Sequence, residues 1–386
     1  MDWLARFGSE DPALWTADLV QGNNAFALDL YAQIREGTGN LFVSPYSISS
    51  ALALVYAGAR GETAEQMAQA LRFSPDQEPL HRQFAALEAR FRALGGLGTI
   101  RLRTANRLWP RTGYDLLADY VRLLKAAYGV TVQPLDYGDT EVARKTINRW
   151  VAEQTKDRIK NLILPGNLSA GTLLVLVNAI YFKGNWASQF DPALTREAPF
   201  WVSAAQSVPV PLMTQTRTFS LARGRELQVL ELPYEGGDLS MLVLLPAARD
   251  GLAELEAALT LENLELWISH LWEDEVQAQL PRFKLDYRLE VQDYLPPLGM
   301  IDAFLPHKAD FSGITGQASG FFIDLIIHQA FVQVDEAGTE AAAATAIVSR
   351  GGPPIFRADH PFLFLIRENS TGCILFLGRV ANPTAS

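Results

Sequence analysis

The sequence predicts an α+β protein, with helices filling the first half of the chain and strands the second. Two patterns carry that prediction. Up to residue 163 apolar residues recur three and four apart over long stretches, and from residue 173 onward they gather in short β-branched and aromatic runs edged by Pro and Gly. Segregated runs of the two kinds belong to α+β architectures, whereas alternating units would build a parallel sheet.

Phe26, Leu30 and Ile34, with Ala27 and Tyr31 beside them, mark a first amphipathic helix, and Asn23 or Asn24 is of the residue type that caps one. Residues 49–57 are small and apolar with Gly58 and Gly61 behind them, which predicts a buried helix and its stop. Helical spacing continues over 63–71, 80–94, 116–128 and 142–163. The run LLVLVNAIYF at 173–182 is too short and too β-branched for a long helix and fits a strand buried on both faces. Further strands are predicted at 229–232, 240–245, 276–280, 282–287 and 331–334. Two more, at 362–367 and 373–380, flank Asn369-Ser370-Thr371-Gly372 as a hairpin.

At 386 residues, length by itself suggests two or three domains. Hydrophobic residues at 48% and charged residues at 20% provide for a packed core and set the chain apart from disordered sequences. A formal net charge of −10 with no basic block argues against nucleic acid as a partner. No apolar run approaches the roughly 18 residues of a membrane span. Residues 1–15 carry Asp2, Arg6, Glu10 and Asp11 where a secretory signal needs a basic start and an apolar stretch. The single cysteine, Cys373, excludes an internal disulfide and lies in an apolar run that predicts a buried thiol.

Motifs for catalysis are missing. The sequence holds no nucleophile-elbow serine, no P-loop, no His-Glu-x-x-His and no dinucleotide-binding glycine pattern. Its five histidines, His81, His270, His307, His328 and His360, lack metal-ligand spacing, and each alone reads as a hydrogen-bonded structural residue. Asp274 and Glu275 read as part of a solvated charged face. No catalytic residue, metal or cofactor is predicted.

The segment from Gly338 to Pro354, GTEAAAATAIVSRGGPP, is long for a connection inside a compact domain, and such loops are functional or disordered. Gly338 supplies a pivot, and Thr339, Ala341, Ala343 and Thr345 would place small side chains on one face of any strand formed there. No proline interrupts residues 339–352, so every backbone N–H stays available to a sheet. Taken alone, the alanine tract reads first as a helix, and it is the resemblance below that favours an insertable strand.

Several ordered segments together resemble the serpin family over nearly the whole chain. They are NLFVSPYSI from Asn40, Asn106, INRWVAEQTKDRIKNLI from Ile147, LVLVNAIYFKGNW from Leu174 and LPRFKLDY from Leu280. ADFSGI from Ala309, His328 through Ala344, and HPFLFLIRENSTGCILFLGRVANP from His360 complete the series. The resemblance implies a single domain over residues 1–386 that overrides the length-based count. It would hold three mostly antiparallel β-sheets, eight to nine α-helices and an exposed reactive-centre loop at about 338–356.

The same resemblance implies a function: a target serine protease attacks the loop, forms a covalent acyl-enzyme, and is trapped as the cleaved loop enters the central sheet. A metastable native state is required, held by a kinetic barrier. Ser44, Ser47, Asn178 and His328 match the family's shutter, and Trp186, Arg282 and Glu336 its breach, with an ion pair expected between Arg282 and Glu336. The hinge corresponds to Glu336, Gly338, Thr339, Glu340, Ala341, Ala342, Ala343 and Ala344, whose small side chains fit an inhibitor. For the scissile bond two registers compete: one counted forward from Glu336 ends at Gly352, before Pro353, and one counted back from Pro361 ends at Arg350, before Gly351. Arg350 suits a trypsin-like pocket. Val348, before Ser349, or Ile347 would suit an elastase-like or subtilisin-like one. The expected partner is a protease, with no nucleic acid and no membrane, and the chain is expected to be a monomer. Its location is the extracellular space by resemblance, or the cytoplasm given the N-terminal sequence. A non-inhibitory serpin acting as a binding or chaperone protein is the alternative, and a hydrolase a more distant one.

Overall fold

A computed structural model describes residues 16–95, 100–337 and 352–385. The described residues form nine α-helices: α1 (Ala17–Ile34), α2 (Pro45–Tyr56), α3 (Gly61–Leu71), α4 (Gln77–Gly95), α5 (Ala118–Tyr128), α6 (Thr140–Gln154), α7 (Leu252–Ala258), α8 (Leu261–Ser269) and α9 (Ser312–Thr315). Six strands belong to the first part of the chain or its middle: β1 (Leu41–Val43), β2 (Ile100–Pro110), β3 (Leu174–Gly184), β4 (Arg196–Trp201), β5 (Ser207–Arg223) and β6 (Leu227–Pro233). Seven follow: β7 (Leu239–Pro246), β8 (Trp272–Pro281), β9 (Phe283–Glu290), β10 (Leu325–Val334), β11 (Ile355–Arg357), β12 (Phe362–Glu368) and β13 (Ile374–Val380).

Four strands make one sheet in the order β2-β3-β10-β9. The other nine join in the order β1-β13-β12-β7-β6-β5-β8-β11, with β4 beside β5. Two of the three sheets implied by resemblance are continuous here because β5 is 17 residues long. Its first residues pair with β4, its middle with β8 and its last four with β6. Strand β5 is not predicted by the sequence pattern, because Pro209, Pro211 and a run of Thr, Gln and Arg dilute it. Both prolines fall where β5 pairs only with the peripheral β4, where a missing ladder donor is tolerated. Strand β2 is masked for a similar reason: Arg101 and Arg107 break its apolar pattern.

Every residue of α2 is buried, and the helix touches both β3 and β13, so it fills the space between the two sheets. On the opposite face of the four-stranded sheet, Ala143, Ile147 and Val151 of α6 pack with Val175, Val177, Leu325 and Ile327. Helix cover on both faces explains why β3 reads as an unbroken apolar run.

Two expectations are corrected in detail. Helix α1 begins at Ala17, so Asn23 and Asn24 lie inside it and do not cap it. Asn24 instead donates from Nδ2 to the Gly372 carbonyl (2.9 Å) and accepts from the Ile374 N–H (2.9 Å), tying α1 to the C-terminal hairpin. The helix expected over 142–163 stops at Gln154, where Lys156 and Asp157 take left-handed conformations. The chain after it is held back by Asn148, which exchanges two 2.8 Å hydrogen bonds with the Ile163 backbone. The hairpin turn is fixed by Glu368, which accepts from the Ser370 and Thr371 hydroxyls and from Arg90.

Candidate functional site

The β3–β10 pair is the one parallel pairing in the four-stranded sheet, running in register from Leu325–Val175 to Val332–Phe182. Both outer pairs, β2–β3 and β9–β10, are antiparallel. Midway along, His328 lies directly opposite Asn178, and Asn178 directly opposite Asn106 on β2. A polar row thus crosses three adjacent strands of an otherwise apolar layer.

Beneath the row sits the start of α2. Ser44 is its N-cap, accepting from the Ser47 N–H at 3.3 Å, while its own hydroxyl donates to the Leu375 carbonyl at 2.6 Å. The Ser44 N–H donates to His328 Nε2 at 3.1 Å, so that nitrogen must be the acceptor. The proton therefore resides on Nδ1, which donates to Asn178 Oδ1. Asn178 Nδ2 in turn donates to the Ser47 carbonyl (2.9 Å), the Ser47 hydroxyl (2.6 Å) and Asn106 Oδ1. His328 is 0% exposed, and burial lowers its pKa to about 3. A second proton would sit on Nε2 facing an N–H that can only donate, so geometry and desolvation both hold the ring neutral. Asn106 enters the sequence analysis only through resemblance, yet it completes this row, and its register with Asn178 is what brings it there.

A second cluster lies just past the end of β10. Glu336 is 5% exposed and is gripped by Arg282, with Nε on Oε2 and Nη2 on Oε1, both at 2.5 Å, while the Thr195 hydroxyl also donates to Oε1. Burial alone raises the pKa of this carboxyl, but the hydrogen bonds from Arg282, Thr195 and the backbone outweigh it and hold it below the usual value. Trp186 donates from Nε1 to the Asp335 carbonyl (3.0 Å) and stacks on Tyr234 with centroids 4.7 Å apart. Chain direction after β10 is thus fixed at two consecutive residues.

Of the other predicted residues, Gly338, Thr339, Glu340, Ala341, Ala342, Ala343 and Ala344 lie outside the described residues, as do Val348, Arg350 and Gly351. Gly352 is described and has φ +73°, a conformation suited to glycine. Just beyond it, the Gln277 N–H donates to the Pro354 carbonyl (2.9 Å) and β11 joins β8. The remaining histidines are structural or exposed. His81 is buried against the Tyr128 hydroxyl, His360 bridges Asp359 and the Pro246 carbonyl, and His270 is exposed. Cys373 is buried, and desolvation pushes its thiol pKa up. Among the described residues no group of His, Cys, Asp and Glu could hold a metal, and no helix is long and apolar enough to cross a membrane.

A family model described as serpin (serine protease inhibitor) matches residues 21–383. The chain is a serpin. It is 40% identical over 391 residues to human (Homo sapiens) Serpin B3, covering 95% of this chain and 99% of that protein. Identity to the leukocyte elastase inhibitor of Equus caballus is 42% over 380 residues, with coverage of 95% and 99%. The crystal structure of uncleaved ovalbumin superposes with a TM-score of 0.86 at 31% identity, covering 94% of this serpin and 100% of that chain. Membership assigns the chain to protease inhibition in general and not to enzymatic turnover.

Proposed function

We propose that this serpin is a suicide-substrate inhibitor of serine proteases, built as a single domain and acting as a monomer. The observation that carries the reading is the parallel β3–β10 pair with antiparallel pairs on either side. A segment that leaves β10 at Val334, turns back and enters between the two strands runs antiparallel to both. Insertion therefore replaces one parallel ladder with two antiparallel ones, which pair slightly better per residue. Released ladder energy and burial must exceed about 1–2 kcal/mol of backbone ordering per residue, which small hinge side chains keep from rising further. Asn178 and His328 are direct partners across that pair, so their bond has to open to admit a strand.

In this mechanism the protease serine attacks the loop carbonyl, the peptide bond breaks, and its amine leaves with a proton while the new ester joins loop and protease. Insertion then carries the esterified protease away and distorts it before water can complete hydrolysis. Arg350–Gly351 is the bond we assign, for a trypsin-like target. The elastase named in several relatives supports Val348–Ser349 or Ile347 as the second reading.

The test is incubation with trypsin, pancreatic elastase and subtilisin, followed by denaturing gels and mass spectrometry of each cut. A stable covalent band with cleavage after Arg350 is expected with trypsin. A band formed only with elastase or subtilisin moves the target class. Loop cleavage with no band and no rise in melting temperature overturns inhibition and leaves a binding role. Thr339→Arg supplies the control, because an unpaired guanidinium carried into the sheet costs several kcal/mol and slows trapping by about tenfold or more. That variant should be cleaved as a substrate.

A further inference from the structure

The two faces of the β3–β10 seam are fastened differently. Asn178 and His328 cross it on the side of α2, and successive side chains of a strand alternate between faces. On the opposite side, three residues nearer the end where β10 leads to Glu336, Tyr181 and Phe331 are direct partners in the same pairing. Their rings lie 5.5 Å apart between centroids, tilted by 40°, and both residues are buried. Neither belongs to the core around α2 or to the one under α6, whose last members on this face of the two strands are Ala179 and Ile327. Two cations cover the pair. The Arg158 guanidinium, just after α6, is 5.7 Å from the Tyr181 ring centroid, and Lys284 Nζ, on β9, is 5.2 Å from that of Phe331.

We infer that Tyr181 and Phe331 form a latch on the insertion step, two positioning residues whose contact holds the seam shut on its outer face. The inference rests on the inhibitory reading above. Neighbouring strands lie about 4.8 Å apart, so a strand entering the seam leaves β3 and β10 about 10 Å apart. The ring centroids would then stand roughly 10 Å apart as well, beyond the roughly 7 Å reach of an aromatic pair. A segment arriving from the end of β10 meets this contact before it meets the polar row. The two cations differ in what they fasten. Lys284 is on β9, which stays paired with β10 as the seam opens, so its contact with Phe331 moves along intact. Arg158 follows α6, which packs on both β3 and β10, and its hold on Tyr181 opposes movement of β3.

The test is the rate at which the full, uncleaved chain takes up a synthetic peptide of its own residues 338–349, read as growth of a heat-resistant fraction. Phe331→Leu and Tyr181→Leu should each speed uptake by about threefold to tenfold, and the double variant should gain little more, because both changes remove one contact. Tyr181→Phe should keep the wild-type rate. Arg158→Ala should gain about threefold and Lys284→Ala nothing. Phe84→Leu, a truncation of a buried α4 residue away from the seam, should lower the urea midpoint without speeding uptake. Unchanged uptake in both leucine variants, or an equal gain in Phe84→Leu, overturns the latch and leaves inhibition standing. A chain that takes up no peptide and forms no covalent band with any protease removes both.

Discussion

Strand β10 presents two polar arrangements eight residues apart, one at its centre and one just past its end, and they are built on opposite principles. At the centre, His328 and Asn178 are sealed from water and use neutral groups whose donors and acceptors close on one another. Past the end, Glu336 is buried but its partner Arg282 has a side chain 44% exposed, and the contact is between charges. A neutral network in a dry core is expensive to leave half made, because each orphaned group loses water as well as its partner. An ion pair open to solvent can part more cheaply, since water receives the arginine. The end of the strand is therefore suited to open first, and the centre to hold the barrier that keeps a kinetically trapped state from relaxing.

The largest effect should come from removing the hub of the central row. Asn178→Ala strands the His328 Nδ1–H, the Asn106 carboxamide oxygen and the Ser47 hydroxyl together. Its expected cost is about 3 kcal/mol, read as a lower urea midpoint and faster thermal inactivation. Asn106→Ala, at the margin of the row, should cost clearly less. Equal costs for the two would show that the row has no hub.

A smaller effect separates the two regions by pH. His328 has a folded pKa of about 3 against about 6.5 for a free imidazole, so the unfolded chain binds its proton first as the pH falls. The associated stability is complete above about pH 6.5 and declines toward pH 3, by about 2 kcal/mol between pH 7 and 5. His81, which burial lowers to about 4, acts in the same direction, so His328→Asn is needed to isolate the share by difference. Glu336 has a depressed pKa, and its contribution is complete above the ordinary glutamate range and is lost only as pH falls below it. Midpoints measured between pH 7 and 5 should therefore flatten in His328→Asn and stay unchanged in slope in Glu336→Gln.

These arrangements were legible in the sequence to different depths. Resemblance supplied Ser44, Ser47, Asn178 and His328 as a set, yet what brings Asn106 into it is strand register, which no local pattern encodes. Asparagine near an apolar run suggests a helix cap, and only tertiary contact shows Asn24 holding Gly372 and Ile374, some 350 residues away. Strand β5 was hidden by its prolines and polar residues, whose tolerance depends on lying beside a peripheral strand.

The smallest expected effect is at the strand end, and it is the one that can break the comparison. Arg282→Ala should cost about 1 kcal/mol, because half of the contact is already solvated, and Arg282→Lys about half of that, since an ammonium keeps the charge but loses the two-point grip on Glu336. Raising salt toward 1 M should shrink the difference between wild type and Arg282→Ala, while leaving the Asn178→Ala difference unchanged, because screening reaches exposed charges and not buried neutral groups. Should Arg282→Ala instead match Asn178→Ala in cost and resist salt, the ion pair would be part of the barrier. Opening would then have to begin in the middle of the β3–β10 pair.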